Sequence, residues 1–187
     1  MRGHCETSGW RRPAERVGKP RGKADNLLAA PHMLAGAAIG KALRRRPWLA
    51  LSAAFGSHFL LDMAPHIDSH GLFGIAGGGL TRAEVAMGTL DTLLGIALVL
   101  WAVGKQPGRR VMISAAFAAV VIDLLDHVPP FGAWFGRWCG TSWLSAFHHK
   151  CQHNVAPANW PVGFGLQIAV LGFALWWVRK GNPKPLD

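Results

Sequence analysis

Histidine and aspartate residues recur at helical spacing inside an apolar stretch of this chain. In SHFLLDMAPH, the residues His58, Asp62 and His66 follow one another at intervals of four. Side chains four apart lie on one face of an α-helix, although Pro65 is expected to end that helix and turn His66. Imidazole and carboxylate groups bind first-row metal ions, and two of them on one helical turn form a half-site that a second helix can complete. The spacing therefore predicts half of a metal site.

The second half of the chain repeats this pattern twice. Asp123 and His127 are four residues apart with Asp126 beside them, and His149 and His153 are four apart in FHHKCQHN. Ionisable side chains within apolar segments are costly to bury and mark functional sites by default. The alternative is structural, because a single histidine or aspartate near a helix end can serve only as a hydrogen-bond partner of a neighbouring helix. The recurrence of the pattern favours the functional interpretation.

The composition indicates a membrane protein rather than a soluble globule. Half of the 187 residues are apolar, yet the chain carries a formal charge of +10, with 20 Lys and Arg against 10 Asp and Glu. The basic residues lie between long apolar runs, and several of the nine tryptophans lie near the ends of those runs, where indole favours the membrane interface. The lipid bilayer is the expected partner. Because membrane topology accounts for the positive charge, no nucleic-acid partner is expected.

Five apolar segments follow the polar N-terminus. A helix needs about 20 residues to cross about 30 Å of hydrocarbon. The third and fifth segments have this length. The second and fourth segments reach it only if their acidic and histidine residues are included. The first segment is short and rich in Ala and Gly, so it either spans the membrane or enters and leaves it by the same face. The sequence thus predicts an all-α, polytopic transmembrane helix bundle with four to five membrane segments. The segments cover residues 28–43, 47–65, 84–104, 110–130 and 161–178.

The predicted bundle forms a single transmembrane helical domain over residues 27–180. Residues 1–26 are basic and rich in Gly and Pro, with too little apolar surface to offset the entropy of ordering them, so we expect a disordered tail. The alternative is that translation begins later, near Leu27. Residues 181–187 are expected to form a short cytoplasmic tail.

The distribution of positive charge orients the predicted bundle. Basic residues concentrate at 41–46, 105–110 and 179–184, and the positive-inside rule places these connections and the C-terminus in the cytoplasm. The histidines and aspartates then gather near the outer membrane face. An LLD-x-x-P motif at residues 60–65 returns at 124–129, which indicates a weak internal repeat of two facing hairpins.

The segments PHMLAGAAIG, SHFLLDMAPHID, VIDLLDHVPP and FHHKCQHN resemble those of a bacterial family of small integral membrane proteins, the LexA-binding, inner-membrane-associated hydrolases. The family is described as membrane-bound and metal-dependent. Its most specific match here is the H-x-x-x-D-x-x-P-H pattern that begins at His58. The resemblance implies a protein of the bacterial inner membrane. Together with the spacing, it gives as metal ligands His32, His58, Asp62, His66, His127, His148, His149 and His153.

The first functional hypothesis is a metal-dependent hydrolase of an ester or phosphoester, including a lipid-linked one, with zinc as the first metal to test. A divalent ion lowers the pKa of a bound water toward neutrality, and Asp123 or Asp126 would act as the general base. The alternative is a non-enzymatic membrane protein that binds or conducts metal ions or protons. A membrane di-iron oxidase would need more histidine boxes than FHHKCQHN provides, and GLFGIAGGGL lacks the Lys and Ser/Thr of a phosphate loop.

Overall fold

The computed structural model describes residues 28–67, 82–127, 141–153 and 159–180, and the regular structure within these ranges is helical. The all-α prediction is therefore confirmed for the described part of the chain, whereas the predicted tails, residues 1–26 and 181–187, lie outside it. In chain order the helices are α1 (Ala29–Ala42), α2 (Pro47–Asp62), α3 (Arg82–Val103), α4 (Arg109–Ala118), α5 (Val121–His127), α6 (Ser142–Cys151) and α7 (Trp160–Arg179).

Two of the five predicted membrane segments have the length and composition of a membrane span. Within the described ranges these are α3, with 22 residues, and α7, with 20. The first and second segments form shorter helices of 14 and 16 residues. The fourth is divided, because a turn at Ala119 and Val120 separates α4 from α5. β-Branched residues lose side-chain freedom in a helix, and the run from Val120 to Ile122 starts at this turn. Among the described residues, two helices therefore have spanning length, rather than the four to five that the sequence predicts.

Helix α1 lies at the centre of the bundle and packs against α2, α3, α4 and α7. Its small residues make the contact with α4 close. A Cβ atom at Gly36 would lie 2.5 Å from the carbonyl oxygen of Ala115, and one at Gly40 would lie 2.7 Å from the Cα of Met112. The Gly-x-x-x-Gly spacing therefore lets the two backbones meet, as in pairs of membrane helices. This contact fixes the position of α1 relative to the helices that carry the other ionisable groups.

Basic side chains hold one end of the bundle together. The Lys41 ammonium donates hydrogen bonds of 2.9 Å to the carbonyl oxygens of Trp177 and Val178, near the end of α7. The Arg179 guanidinium lies 3.9 Å from the centre of the Trp101 ring of α3. Lysine at a helix C-terminus satisfies carbonyl groups that have no partner within the helix. The C-terminal ends of α1, α3 and α7 therefore lie at the same end.

The first turn of α1 is held at the opposite end. There the Asp91 carboxylate of α3 accepts a hydrogen bond of 3.1 Å from the backbone N–H of Ala30. This carboxylate replaces the side-chain cap that the helix N-terminus lacks locally. The two ends are separated by an apolar core whose buried members include Met33, Leu34, Ala37, Val99, Val103, Met112 and Val178.

We predict that Gly36→Ala destabilises the bundle. The new methyl group meets the Ala115 carbonyl oxygen, which cannot move without shifting α4. Overpacking of this kind costs about 1–3 kcal/mol, measured as a lowered free energy of unfolding from tryptophan fluorescence in detergent. Gly56→Ala is the matched control, because no described atom beyond the backbone of its own helix turn lies within 4 Å of a Cβ at Gly56, and alanine favours a helix. Equal stability of the two variants would show that α1 and α4 do not pack this closely.

Candidate metal centre

Four side chains from three helices bring one potential ligand atom each to a common point. His58 and Asp62 come from the C-terminal end of α2, Asp123 from α5 and His148 from α6. His58 Nε2 lies 3.1 Å from Asp62 Oδ2, 3.4 Å from Asp123 Oδ1 and 3.2 Å from His148 Nε2. His148 Nε2 in turn lies 3.4 Å from Asp62 Oδ2 and 3.3 Å from Asp123 Oδ1. We term these four residues the central quartet.

Most of the distances given for the central quartet agree with those of a tetrahedral site. Zinc binds histidine nitrogen and carboxylate oxygen at about 2.0–2.2 Å, and a regular tetrahedron of that radius has edges of about 3.3–3.6 Å. Adjacent ligands of an octahedral ion at about 2.0–2.1 Å lie closer, at about 2.8–3.0 Å. Three of the five quartet distances, 3.3, 3.4 and 3.4 Å, fall in the tetrahedral range, and the other two, 3.1 and 3.2 Å, lie between the two ranges. The quartet therefore has nearly the dimensions of a four-coordinate site.

Hydrogen bonds on the far side of both imidazole rings fix which nitrogen faces the quartet. His58 Nδ1 lies 2.7 Å from the carbonyl oxygen of Ala119, to which it donates. His148 Nδ1 lies 2.8 Å from Asp126 Oδ2, and the Ser145 hydroxyl donates to Asp126 Oδ1 at 2.7 Å. Both Nε2 atoms of the neutral rings then carry lone pairs directed into the quartet. Metal-binding histidines are oriented in the same way by a carbonyl or carboxylate group.

The interior of the central quartet requires positive charge. The side chains of His58, Asp62 and His148 have no solvent exposure, and neither Asp62 oxygen accepts a hydrogen bond of regular geometry. Facing lone pairs and buried carboxylates repel one another unless a proton or a metal ion lies between them. Burial lowers the pKa of His148, but its hydrogen bonds with Asp123 and the neighbouring carboxylates outweigh burial and raise that pKa to about 11. The donor set fits a divalent cation.

His32 of α1 extends the cluster on the other side of Asp62. Its Nε2 lies 3.5 Å from Asp62 Oδ1, the carboxylate oxygen that the quartet distances do not involve, and its ring centre lies 4.6 Å from that of His58. His32, His58 and Asp62 form a second group that could hold a metal ion, with ligand atoms within 4.8 Å of one another. The structure therefore brings His32, His58, Asp62, Asp123, Asp126 and His148 together.

His66 and His153 support the site through their backbones. The backbone N–H of His153 donates to the carbonyl oxygen of Asp62 at 2.9 Å, and that of His66 donates to the carbonyl oxygen of His153 at 3.3 Å. The imidazole of His153 is exposed, whereas that of His66 is buried with Nδ1 2.8 Å from the carbonyl oxygen of Ala64. These bonds tie the end of α2 to the chain that follows α6.

The last two predicted ligands lie at the edge of the cluster or outside the described residues. His149 Nε2 is 3.6 Å from Asp126 Oδ2, and its side chain is 47% exposed. His149 and His153 do not share a helix face, because α6 ends at Cys151. His127 is the last residue of α5, and its side chain lies outside the described part of the chain.

Two supporting contacts were not predicted from the sequence. The Ala119 carbonyl group carries no side-chain signal, since its role follows from the turn that ends α4. Ser145 had a signal, because it precedes His148 by three residues and so lies on the same face of α6.

A scan against protein-family models, a search of curated proteins and a search of solved structures each return no match to this chain. The interpretation of the site therefore rests on its own geometry. That geometry combines two inward-facing imidazole nitrogens, two carboxylates and an outer layer that orients the rings.

We predict that Asp126→Asn weakens zinc binding about 10- to 100-fold, the usual effect of changing a group that orients a metal-bound histidine. The amide oxygen still accepts from His148 Nδ1, but the charge that makes this ring more basic is lost. Competition with a chelator of known affinity measures the change. His153→Ala is the control and should bind zinc as the unmodified protein does, because its imidazole is exposed. Unchanged affinity in Asp126→Asn would contradict the role assigned to the Asp126 charge.

Proposed function

We propose that this chain is an integral membrane hydrolase that cleaves an ester or phosphoester with a divalent metal ion, zinc first, held at the central quartet. The observation that carries the proposal is the set of five distances of 3.1–3.4 Å among four ligand atoms from three helices. The imidazole nitrogens of His58 and His148 together with the Asp62 carboxylate suit zinc better than magnesium or calcium, which prefer oxygen alone. The resemblance to inner-membrane-associated hydrolases supports the same assignment.

Solvent exposure distinguishes the residues of the quartet that would bind the metal ion from the one that would act as the general base. The side chains of His58, Asp62 and His148 are fully buried, whereas that of Asp123 is 19% exposed. We assign the first three to holding the ion, since catalytic sites keep three protein ligands and one open position. The ion would lower the pKa of a water molecule and polarise the bond to be cleaved. Asp123 lies on the accessible side, where its carboxylate accepts the proton of the attacking water.

Asp126 takes a supporting part in this proposal. Its Oδ2 accepts from His148 Nδ1, and its Oδ1 accepts from Ser145. Both oxygens are therefore engaged in orienting the ring, which leaves Asp123 as the better placed of the two carboxylates for proton transfer.

The outer surfaces of α3 and α7 support insertion in a membrane. Only 17% of the most apolar stretch of each helix is buried, so neither resembles the core helix of a soluble protein. Their exposed side chains include Leu90, Leu93, Leu94, Trp101, Ile168, Phe173 and Trp176. We propose a multi-pass protein of the bacterial inner membrane in which α1, α2 and the α4–α5 pair complete four to five membrane segments.

The arrangement of the helix ends supports a cytoplasmic C-terminus. Lys41, Arg179 and the C-terminal ends of three helices lie together at one end, and the quartet lies toward the other. Positive residues favour the cytoplasmic side. The quartet would then lie near the outer face. A helix of 14 residues such as α1 is only about 21 Å long, but its neighbours shield it from lipid.

Conduction of ions or protons is the second candidate function, and the packing favours it less. Between the quartet and the basic end, the described helices are packed with buried apolar side chains such as Leu34, Val103 and Met112. A relay needs polar groups or water at every depth. The polar cluster stops where this core begins.

The first test is the metal content of the full-length protein purified in detergent. We expect about one zinc per chain by elemental mass spectrometry, and loss of it in the His58→Ala, Asp62→Ala double variant. His153→Ala should retain the metal. Absence of metal from the unmodified protein after reconstitution with zinc, manganese and iron would overturn the metal-site proposal.

The hydrolase part of the proposal has its own variant. Asp123→Asn should keep most of the metal but lower the rate of hydrolysis of chromogenic esters or phosphodiesters about 10²- to 10⁴-fold, the usual contribution of a general base. A metal-loaded protein that hydrolyses neither substrate class, or an Asp123→Asn variant with full activity, would count against it.

Membrane topology provides an independent prediction. A C-terminal fusion to alkaline phosphatase should be inactive, because that enzyme needs disulfides that form only outside the cytoplasm. A fusion placed after residue 153 should be active. The reverse pattern would contradict the proposed orientation.

A further inference from the structure

A cavity beside the central quartet has a composition that indicates its ligand. It lies between the start of α1, the end of α2 and the middle of α7. Its walls are mostly apolar, with Leu61, Leu166 and Val170 among them, and three polar side chains face it: His32, His66 and Gln167. None of these three belongs to the quartet.

Each of the three polar side chains has one buried atom without a hydrogen-bond partner. These atoms are His32 Nδ1, His66 Nε2 and Gln167 Oε1. His32 and His66 are each only 4% exposed, so their polar atoms are removed from bulk water. A buried polar atom without a partner costs free energy, which a ligand can recover.

The protons on these groups are fixed by their other contacts. His66 Nδ1 lies 2.8 Å from the Ala64 carbonyl oxygen and must carry the proton, so Nε2 of the neutral ring is an acceptor. Gln167 donates its amide N–H to the carbonyl oxygen of Ile67 at 2.9 Å, which leaves Oε1 as an acceptor.

The contacts of His32 do not assign its proton. Its Nε2 lies 3.5 Å from Asp62 Oδ1, and its Nδ1 is the buried ring atom without a partner. The cavity therefore offers two acceptors, His66 Nε2 and Gln167 Oε1, beside this third polar atom, and the matching ligand is a donor.

A hydroxyl-bearing ligand fits better than a cation. No acidic side chain is among the described residues that line the cavity, so an ammonium group would lack a counter-charge. The apolar walls suit an aliphatic chain. Next to the cavity, the outer face of α7 exposes Ile168. In the proposed membrane, this side chain would contact lipid tails.

We propose that this cavity binds the hydroxyl end of a lipid substrate, such as a glycerol ester, with the hydroxyl among His66, Gln167 and His32 and the rest of the lipid outside the cavity, along its apolar edge. The inference rests on the proposed function for the reaction, but the binding it describes does not depend on a metal ion. His32 links the two regions, because one ring nitrogen faces the cavity and the other faces Asp62.

The test is competitive binding of two amphiphiles of equal chain length, followed by native mass spectrometry of the full-length protein. The probes are 1-monooctanoylglycerol, which has two free hydroxyl groups, and methyl octanoate, which has none. We expect the unmodified protein to prefer the glycerol ester by about tenfold or more. Gln167→Met and His66→Phe should each reduce that preference several-fold, since each removes one acceptor while keeping a side chain of similar size.

Val170→Ala is the matched control. This substitution removes part of the apolar wall but none of the acceptors. It should therefore weaken the binding of both probes equally and preserve the ratio of their affinities. Equal binding of the two probes by the unmodified protein, or an unchanged ratio in both acceptor variants, would overturn the proposal. Octylamine, added as a third probe with a cationic head, would assign the cavity to a cation instead if the protein preferred it to the glycerol ester. If the protein without metal still prefers the glycerol ester to methyl octanoate, the cavity inference holds even where the proposed hydrolase function fails.

Discussion

The structure depends on accommodating one carboxylate that has no access to solvent. Asp62 is fully buried, and imidazole nitrogens of His32, His58 and His148 lie within 3.5 Å of its oxygens. A buried carboxylate without such partners would cost several kcal/mol. The three rings come from α1, α2 and α6, so α6 of the second half of the chain must meet the neighbouring helices α1 and α2 at one point. The packing of the described bundle can be understood as the means of holding them there.

Backbone contacts do most of this positioning. The absence of side chains at Gly36 and Gly40 lets α1 approach α4 closely. The turn after α4 presents the Ala119 carbonyl group to His58 Nδ1, and the backbone of His153 ties α6 to the end of α2. Such contacts do not depend on flexible side chains. They favour a site whose shape is formed before any ligand binds.

The parts of the site that could be predicted from sequence are the local ones. His58 and Asp62 are separated by one helical turn, so their meeting follows from helix geometry alone. Which aspartate of the second half of the chain joins His58 and Asp62 depends on tertiary structure. The LLD-x-x-P echo aligns Asp62 with Asp126, yet Asp123 is the residue whose oxygen enters the quartet, and Asp126 orients His148 instead.

The fold shows the same division between local and tertiary information. Helices α3 and α7 were predictable because mostly apolar segments of 22 and 20 residues have few alternatives in a chain of this composition. The division of the fourth segment was not, because the turn at Ala119 and Val120 lies within an unbroken apolar run. The end of α6 at Cys151 likewise separates His149 from His153, although their spacing alone matches one helix face.

Charge balance explains why a metal ion suits this cluster better than protons. The carboxylates of Asp62 and Asp123 carry two negative charges into a buried site, which either two imidazolium groups or one divalent cation would neutralise. Both Nδ1 atoms already donate to Ala119 and Asp126, so two imidazolium rings would place their Nε2–H groups against each other at 3.2 Å. One divalent ion uses the same two lone pairs without that repulsion. The hydrogen bonds behind the rings thus make the cluster a better ligand set than an ion-pair network.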